Sequence, residues 1–224
     1  MKSERLRAIV LRRTNYGEAD RIVQFLTPMG RRSAMARSVR KEKSRLAGGI
    51  ELFAVCDVVL TKGRGNLAVL TSARLVHFYR HIMENYDRME FCYEVMRLIA
   101  AASETVDEPE WYDILAQVLA ALDSKSIDLR LTKTWFYLQH SKMLGHELSL
   151  THDVSGKKLQ KGERYLYDEA ESGLRQAANG SLTTQHITLL RLVQSKDLEV
   201  LVQVGGIEVV LGECFRTARE HAAI

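Results

Sequence analysis

The sequence predicts an α+β chain in two parts: a small five-stranded antiparallel barrel or sandwich, followed by an all-helical domain. Three observations predict it. Five short runs rich in branched apolar residues crowd into the first 78 positions. Apolar residues then recur at helical spacing, and the charge changes sign at the same place. Residues 1–80 carry 17 Lys+Arg against 6 Asp+Glu, a net of +11, whereas residues 81–224 carry 15 against 22, a net of −7.

The elements follow in order. Residues 5–13 (RLRAIVLRR) and 21–27 (RIVQFLT) read as strands, the second ended by the turn signal Pro28-Met29-Gly30. Residues 31–39 alternate weakly. Residues 52–62 (LFAVCDVVLTK) concentrate Val, Phe and Leu, as a half-buried pleated strand requires. Gly63-Arg64-Gly65-Asn66 turns the chain into a fifth strand over 67–76, and the basic stretch 40–49 between strands reads as a long loop or a short helix. From 78 to 103, Ile82, Tyr86, Met89, Tyr93, Met96 and Ile99 recur at roughly helical spacing. Glu108-Pro109-Glu110 opens a second helix through 122, and 127–144 is a third, closed by Gly145 as a C-cap. Two more helices are predicted over 183–194 and 207–221. Residues 151–180 are polar and glycine-punctuated and show neither period. The division is therefore 1–78 and 79–224.

Composition bounds the function. The 224 residues are 46% hydrophobic with 2 prolines, which excludes a disordered or collagen-like chain. No apolar run reaches the roughly 18 residues of a membrane span, and the N-terminus is charged where a signal peptide is apolar. Cys56, Cys92 and Cys214 are odd in number and far apart, which fits a reducing cytoplasm rather than a disulfide framework. A cytoplasmic location is therefore expected.

The basic first part is the main functional signal. Arg12, Arg13, Arg31, Arg32, Arg37, Arg40, Lys41, Lys43, Arg45, Lys62 and Arg64 are candidates for neutralising nucleic-acid phosphates, because displaced counterions supply much of the affinity. Strand alternation is expected to gather Arg31, Arg37 and the 40–45 loop on one side. Of the aromatics before residue 78, Phe25 and Phe53 lie inside predicted strands and belong to the core, which leaves Tyr16 as the stacking candidate. Binding should be mainly to phosphates and so accept single and double strands.

Catalytic motifs are missing. The chain contains no G-x-x-x-x-G-K-[ST], H-E-x-x-H or G-x-S-x-G. Ser38-Val39-Arg40-Lys41 matches S-x-x-K without the companion motifs. His77 and His81 could share a helix face but have no third metal ligand, and Glu90 and Glu94 read as a solvated stripe. No enzyme, cofactor or metal is expected. On the third helix, Trp135, Phe136, Leu138 and Leu144 beside Arg130, Lys133 and Lys142 could form an apolar pocket rimmed by cations, suited to an acidic peptide with a C-terminal carboxylate. Core packing explains the apolar residues equally well.

Tyr16-Gly17-Glu18-Ala19-Asp20-Arg21 ahead of a strand ending Leu26-Thr27-Pro28, then Lys43-Ser44-Arg45-Leu46-Ala47-Gly48, then Lys62-Gly63-Arg64-Gly65 leading to Leu70-Thr71, form an ordered set that resembles the RecO family of bacterial recombination mediators. In the second part the resemblance rests on Phe136-Tyr137-Leu138 and Leu144-Gly145-His146, similar to that family's F-E-L and L-G-Y. It implies an OB-fold barrel before the helical domain, binding of single- and double-stranded DNA, and annealing of complementary strands. It also implies loading of RecA, with RecR as partner, onto DNA coated by single-strand binding protein. The family grips the acidic C-terminal tail of that protein with its helical domain, which points to Arg130, Lys133 and Trp135. Many members carry two C-x-x-C pairs after L-G-Y. Here the counterpart of the first is His152-Asp153-Val154-Ser155-Gly156, so no structural zinc is expected and packing alone must hold 151–180. Three other classes stay open on charge and pattern: an OB-fold RNA-binding module, a metal-dependent nuclease, and a structural interaction module that binds no nucleic acid.

Overall fold

The computed structural model describes residues 3–63 and 67–223. Strands β1 (Ser3–Tyr16), β2 (Asp20–Thr27), β3 (Gly30–Ala36), β4 (Ala54–Thr61) and β5 (Ala68–Phe78) stand where the five apolar runs predict them. The turn expected at 63–66 lies, beyond Gly63, outside the described residues. Alternation supplies the interior: Ala8, Val10, Val23, Phe25, Ala34, Ala36, Val58, Leu60 and Leu70 form one buried cluster.

The expected five-stranded antiparallel barrel is corrected by the pairing. β1 pairs antiparallel with β2 and β4, β2 with β3, and β4 with β5, but β3 and β5 run parallel. Five strands in the ring order β1-β2-β3-β5-β4 cannot alternate direction at every step, so one neighbouring pair must be parallel. That seam is short, with Ala34 opposite Ala68 and Met35 opposite Val69. Beyond it a 3-10 turn, Ala47–Gly49, packs against β5. A Cβ on Gly49 would lie 2.4 Å from the Ala73 carbonyl, so only glycine permits this approach.

The chain divides into two compact units, Met1–Asp123 and Ser124–Ile224. β5 ends at Phe78, where the sequence changes from strand to helix pattern, yet the first two helices belong to the strand unit. α1 (Tyr86–Ala102) contacts β1, and α2 (Glu110–Asp123) contacts β2 and β3. This explains why Ile9, Leu11 and Leu26 are buried although alternation turns them away from the interior cluster. Trp111 of α2 is fully buried, and its indole N–H donates to the Val106 carbonyl at 2.8 Å. α1 begins at the Asn85 cap rather than at residue 78. His77 therefore lies on β5 and shares no helix face with His81, which instead faces Asp123.

The second unit contains α3 (Leu129–Met143), α4 (Thr184–Ser195), α5 (Leu198–Leu201) and α6 (Glu208–His221). α3 ends as Gly145 predicts. At φ +83°, Gly145 donates to Lys142 O and His146 to Ser141 O, the paired bonds of a Schellman cap. The all-helical expectation is corrected by a hairpin, β6 (Tyr165–Asp168) with β7 (Gly173–Gln176). Residues 151–180 are not held by packing alone either. One Asp153 carboxylate oxygen accepts from the Ser155 N–H and hydroxyl and from the Lys157 N–H, and Val154 N–H donates to Leu174 O. The two strands have four residues each, too few to show a period, which is why this hairpin is hidden from periodicity.

Three histidines of this unit, His140, His186 and His221, are held below the ordinary imidazole value chiefly by burial. The ring of His221 lies between His146 O at 2.6 Å, which requires an N–H at Nε2, and the Tyr167 hydroxyl at 3.0 Å from Nδ1. Protonating Nδ1 would turn that nitrogen from an acceptor into a donor and place a charge in a buried site. A group whose folded pKa is lowered contributes stability above its unfolded pKa and loses it as pH falls through the folded value. The melting temperature is therefore expected to fall as pH drops from about 7.5 to about 5, and to fall less in His221→Gln, measured by circular dichroism. A pH-independent melt in this range would contradict the neutral assignment.

Among the described residues no helix is long and apolar enough to cross a membrane. All three cysteines are buried, and burial pushes the Cys56 thiol up to about 11 and Cys214 up to about 12, so neither is a thiolate at neutral pH.

Candidate nucleic-acid interface

Three separate places receive the basic candidates. The first is built by the β1–β2 hairpin tip and the loop after β3. Gly17, at φ +55°, lets the tip turn tightly. Asp20 then accepts from the Ser38 N–H at 2.6 Å, Arg40 N–H donates to Ala19 O at 2.9 Å, and the Arg40 guanidinium reaches Gly17 O at 3.3 Å. Val39 is buried in the barrel and anchors the loop from below. These bonds stitch the loop to the tip and leave Tyr16, Arg37, Arg40, Lys41, Lys43 and Arg45 exposed at that end, Tyr16 at 55%. Among the described residues none of these five cations forms an ion pair.

The second place is the groove between the hairpin and α1. Arg12 and Arg13 follow a register shift in β1 and both line it. Arg13 is tied to Glu51 at 2.8 Å, while Arg12 is exposed. Arg21 and Arg97, which sequence reasoning missed, also line this groove of about 840 Å³. Arg97 was hidden because it sits on a helix, outside the part read as basic.

The third place is the opposite end of β3. Arg37 lies six positions after Arg31, roughly 20 Å along an extended strand. The two therefore stand at opposite ends of β3. Arg31 is bound to Glu104 at 3.1 Å, and its N–H donates to Asp107 at 2.7 Å. Arg32 and Lys62 share a cleft of about 460 Å³ with Glu4. Arg64 lies outside the described residues. A further basic face, also missed, alternates along β1: Arg5 and Arg7 point out between Leu6 and Ala8, and Asp57 bridges Arg7 at 2.7 Å to Arg74 at 2.8 Å. The hydrogen bonds from Arg74 and then Arg7 hold the Asp57 carboxyl below its usual range.

The expected peptide pocket on α3 is not assembled by its three residues. Trp135 is 2% exposed, and its indole N–H donates to Lys196 O at 2.8 Å, so it belongs to the core. Arg130 is exposed but folds back on the capping Asp128 at 2.6 Å. Lys133 lies 5.9 Å from the Phe215 ring, which Arg219 also approaches at 5.6 Å. An apolar cleft of about 470 Å³ in this unit is lined instead by residues such as Leu189, Leu192, Val204 and Val209. Among the described residues no three His, Cys, Asp or Glu side chains gather as a metal site, and the 151–180 segment holds no cysteine, so the residues present do not fit a zinc ion.

A family model described as "Recombination protein O N terminal" matches residues 1–79, and one described as "Recombination protein O C terminal" matches residues 83–221. Over 129 residues the chain is 37% identical to a DNA repair protein RecO of Roseiflexus sp. (strain RS-1), covering 57% of this chain and 45% of that protein. It is 28% identical over 200 residues to one of Dehalococcoides mccartyi (strain ATCC BAA-2266 / KCTC 15142 / 195), covering 86% and 78%. A third, from Rubrobacter xylanophilus, is 29% identical over 143 residues, covering 63% and 57%. The alignments thus span about half the length of the first and third of these relatives.

Proposed function

Since the chain belongs to the RecO family, we propose that it is a non-enzymatic mediator of recombination in DNA repair that binds single- and double-stranded DNA through backbone charge and anneals complementary strands. The observation that carries this is the hairpin tip stitched to the loop after β3, which presents Tyr16 and five cations that form no ion pair among the described residues at one end of the barrel. Cations on a fixed scaffold neutralise phosphates on two strands and lower their mutual repulsion. Base pairing then supplies the free energy, and no nucleotide hydrolysis is required. Arg12, Arg13, Arg32 and Lys62 extend this surface, with Arg64 beyond the described residues. Arg31, already paired with Glu104, contributes less.

With RecR as partner, the chain would help load RecA onto strands coated by single-strand binding protein. In the second unit Arg130 and Lys133 would meet the acidic C-terminal tail of that protein, with Trp135 bracing α3 from the core. The test is fluorescence anisotropy with labelled single strands and duplexes over a range of salt. For about 4–6 phosphate contacts, log K should fall against log salt with a slope of roughly −3 to −5 on both substrates. Absence of binding at low salt would sink the proposal.

A further inference from the structure

We propose that the groove between the β1–β2 hairpin and α1 is a single-strand site, in which phosphates rest on Arg12, Arg21 and Arg97 and an unpaired base packs on Tyr93. This rests on the DNA-binding reading above and gives it a strand preference. The cations come from three elements, β1, β2 and α1, and converge on one groove of about 840 Å³. Among the described residues Arg12 and Arg97 form no ion pair, and Arg21 bonds only the neutral Asn15 side chain, at 3.1 Å. Glu104, the acidic residue at the groove, is already held by Arg31. The groove therefore keeps three uncompensated positive charges, which calls for an anionic occupant.

Its lining between those charges is apolar and aromatic. Tyr93 keeps 48% of its surface exposed beside Met96. Its ring is braced by Phe53, with centroids 5.0 Å apart at 66°. Phe53 sits at φ +58°, a left-handed conformation that a bulky residue seldom adopts. A braced ring loses little freedom when a base packs on it, and stacking is sequence-tolerant because every base has a π-face. A duplex keeps its bases stacked inward and offers only backbone to such a ring. The guanidiniums favour a nucleic-acid strand over a short acidic peptide because they continue along the hairpin towards the tip cations, as a chain with one charge per nucleotide requires.

The full chain would be titrated with labelled oligo-dT, an abasic strand of the same length and a duplex. Oligo-dT should bind about tenfold more tightly than the abasic strand, the value of one stacked base. Tyr93→Ala should reduce oligo-dT to the abasic level and leave the duplex unchanged, and Tyr93→Phe should restore it. Arg97→Ala should lower the single-strand salt slope by about 0.7 and leave the duplex slope alone. Equal affinity for oligo-dT and abasic strands overturns the site without any variant, and so does an equal loss on strand and duplex. Capture of an alternating Asp-Leu peptide that Arg97→Ala abolishes, with strand binding unaffected, would make the groove a protein-docking site and also overturn it. If groove variants change nothing while duplex and strand still bind, this site fails alone. If nothing binds at low salt, the parent reading has failed.

Discussion

The triple variant Arg37→Glu, Arg40→Glu, Lys43→Glu is expected to lose about 500-fold in affinity for duplex DNA near 0.1 M salt. Each phosphate contact contributes about 0.9 to the salt slope, so three contacts supply roughly 2.7 decades between 1 M salt, where they are screened out, and 0.1 M. Repulsion by the new carboxylates adds to this. The fold should survive, because all three side chains are exposed and the bond at stake among the described residues is the 3.3 Å contact from Arg40 to Gly17 O. The backbone bond from Arg40 N–H to Ala19 O does not depend on the side chain. The variant should therefore melt like the parent, and its slope should be shallower by about 3. An unchanged slope in a folded variant would show that DNA does not cross this end of the barrel.

Trp111→Ala is expected to cost about 3–5 kcal/mol of stability, the range for deleting a large buried aromatic. The indole is fully buried, and its loss also leaves the Val106 carbonyl without its 2.8 Å donor. For a unit of this size the melting temperature should drop by about 10–20 °C. Trp111→Phe keeps most of the volume and should lose only part of it. Below the variant's melting transition DNA affinity should stay close to that of the parent, because the fully buried indole presents no surface to DNA. These two variants therefore separate surface from scaffold: one loses affinity at constant stability, the other stability at constant affinity. A Trp111→Ala chain that melts like the parent would mean that α2 is not the lid on the outer face of β2 and β3.

Local chemistry explains what could be read from the chain alone. The five strands were legible because burial on a pleated surface selects branched apolar residues within a few positions, as in 52–62 and 21–27. The close of α3 was legible because the Schellman geometry at Gly145 demands a residue that tolerates positive φ. Arg40, Lys41, Lys43 and Arg45 stand in a polar loop whose composition is plain in the sequence, whereas Tyr16 ends β1 and Arg37 follows β3, and all six reach solvent at that end of the barrel. The hairpin at 165–176 was not legible, because each of its strands has only four residues, too few to show a period.

Beyond local pattern, the sequence by itself determined which residues could be strands, caps and cations, since those depend on neighbours within a few positions. Only the tertiary structure decided how they meet. Closing an odd ring required one parallel seam, which no single strand encodes. Packing of the segment after α1 placed Glu104 beside Arg31, and among the described residues left Arg12 without an ion pair. Packing α1 on the barrel brought Arg97 of an acidic-looking helix to a groove with Arg12 and Arg21. Burial turned Trp135 from a candidate pocket wall into core. Each of these rests on contacts between residues tens of positions apart, whose energies depend on geometry that composition and period do not carry.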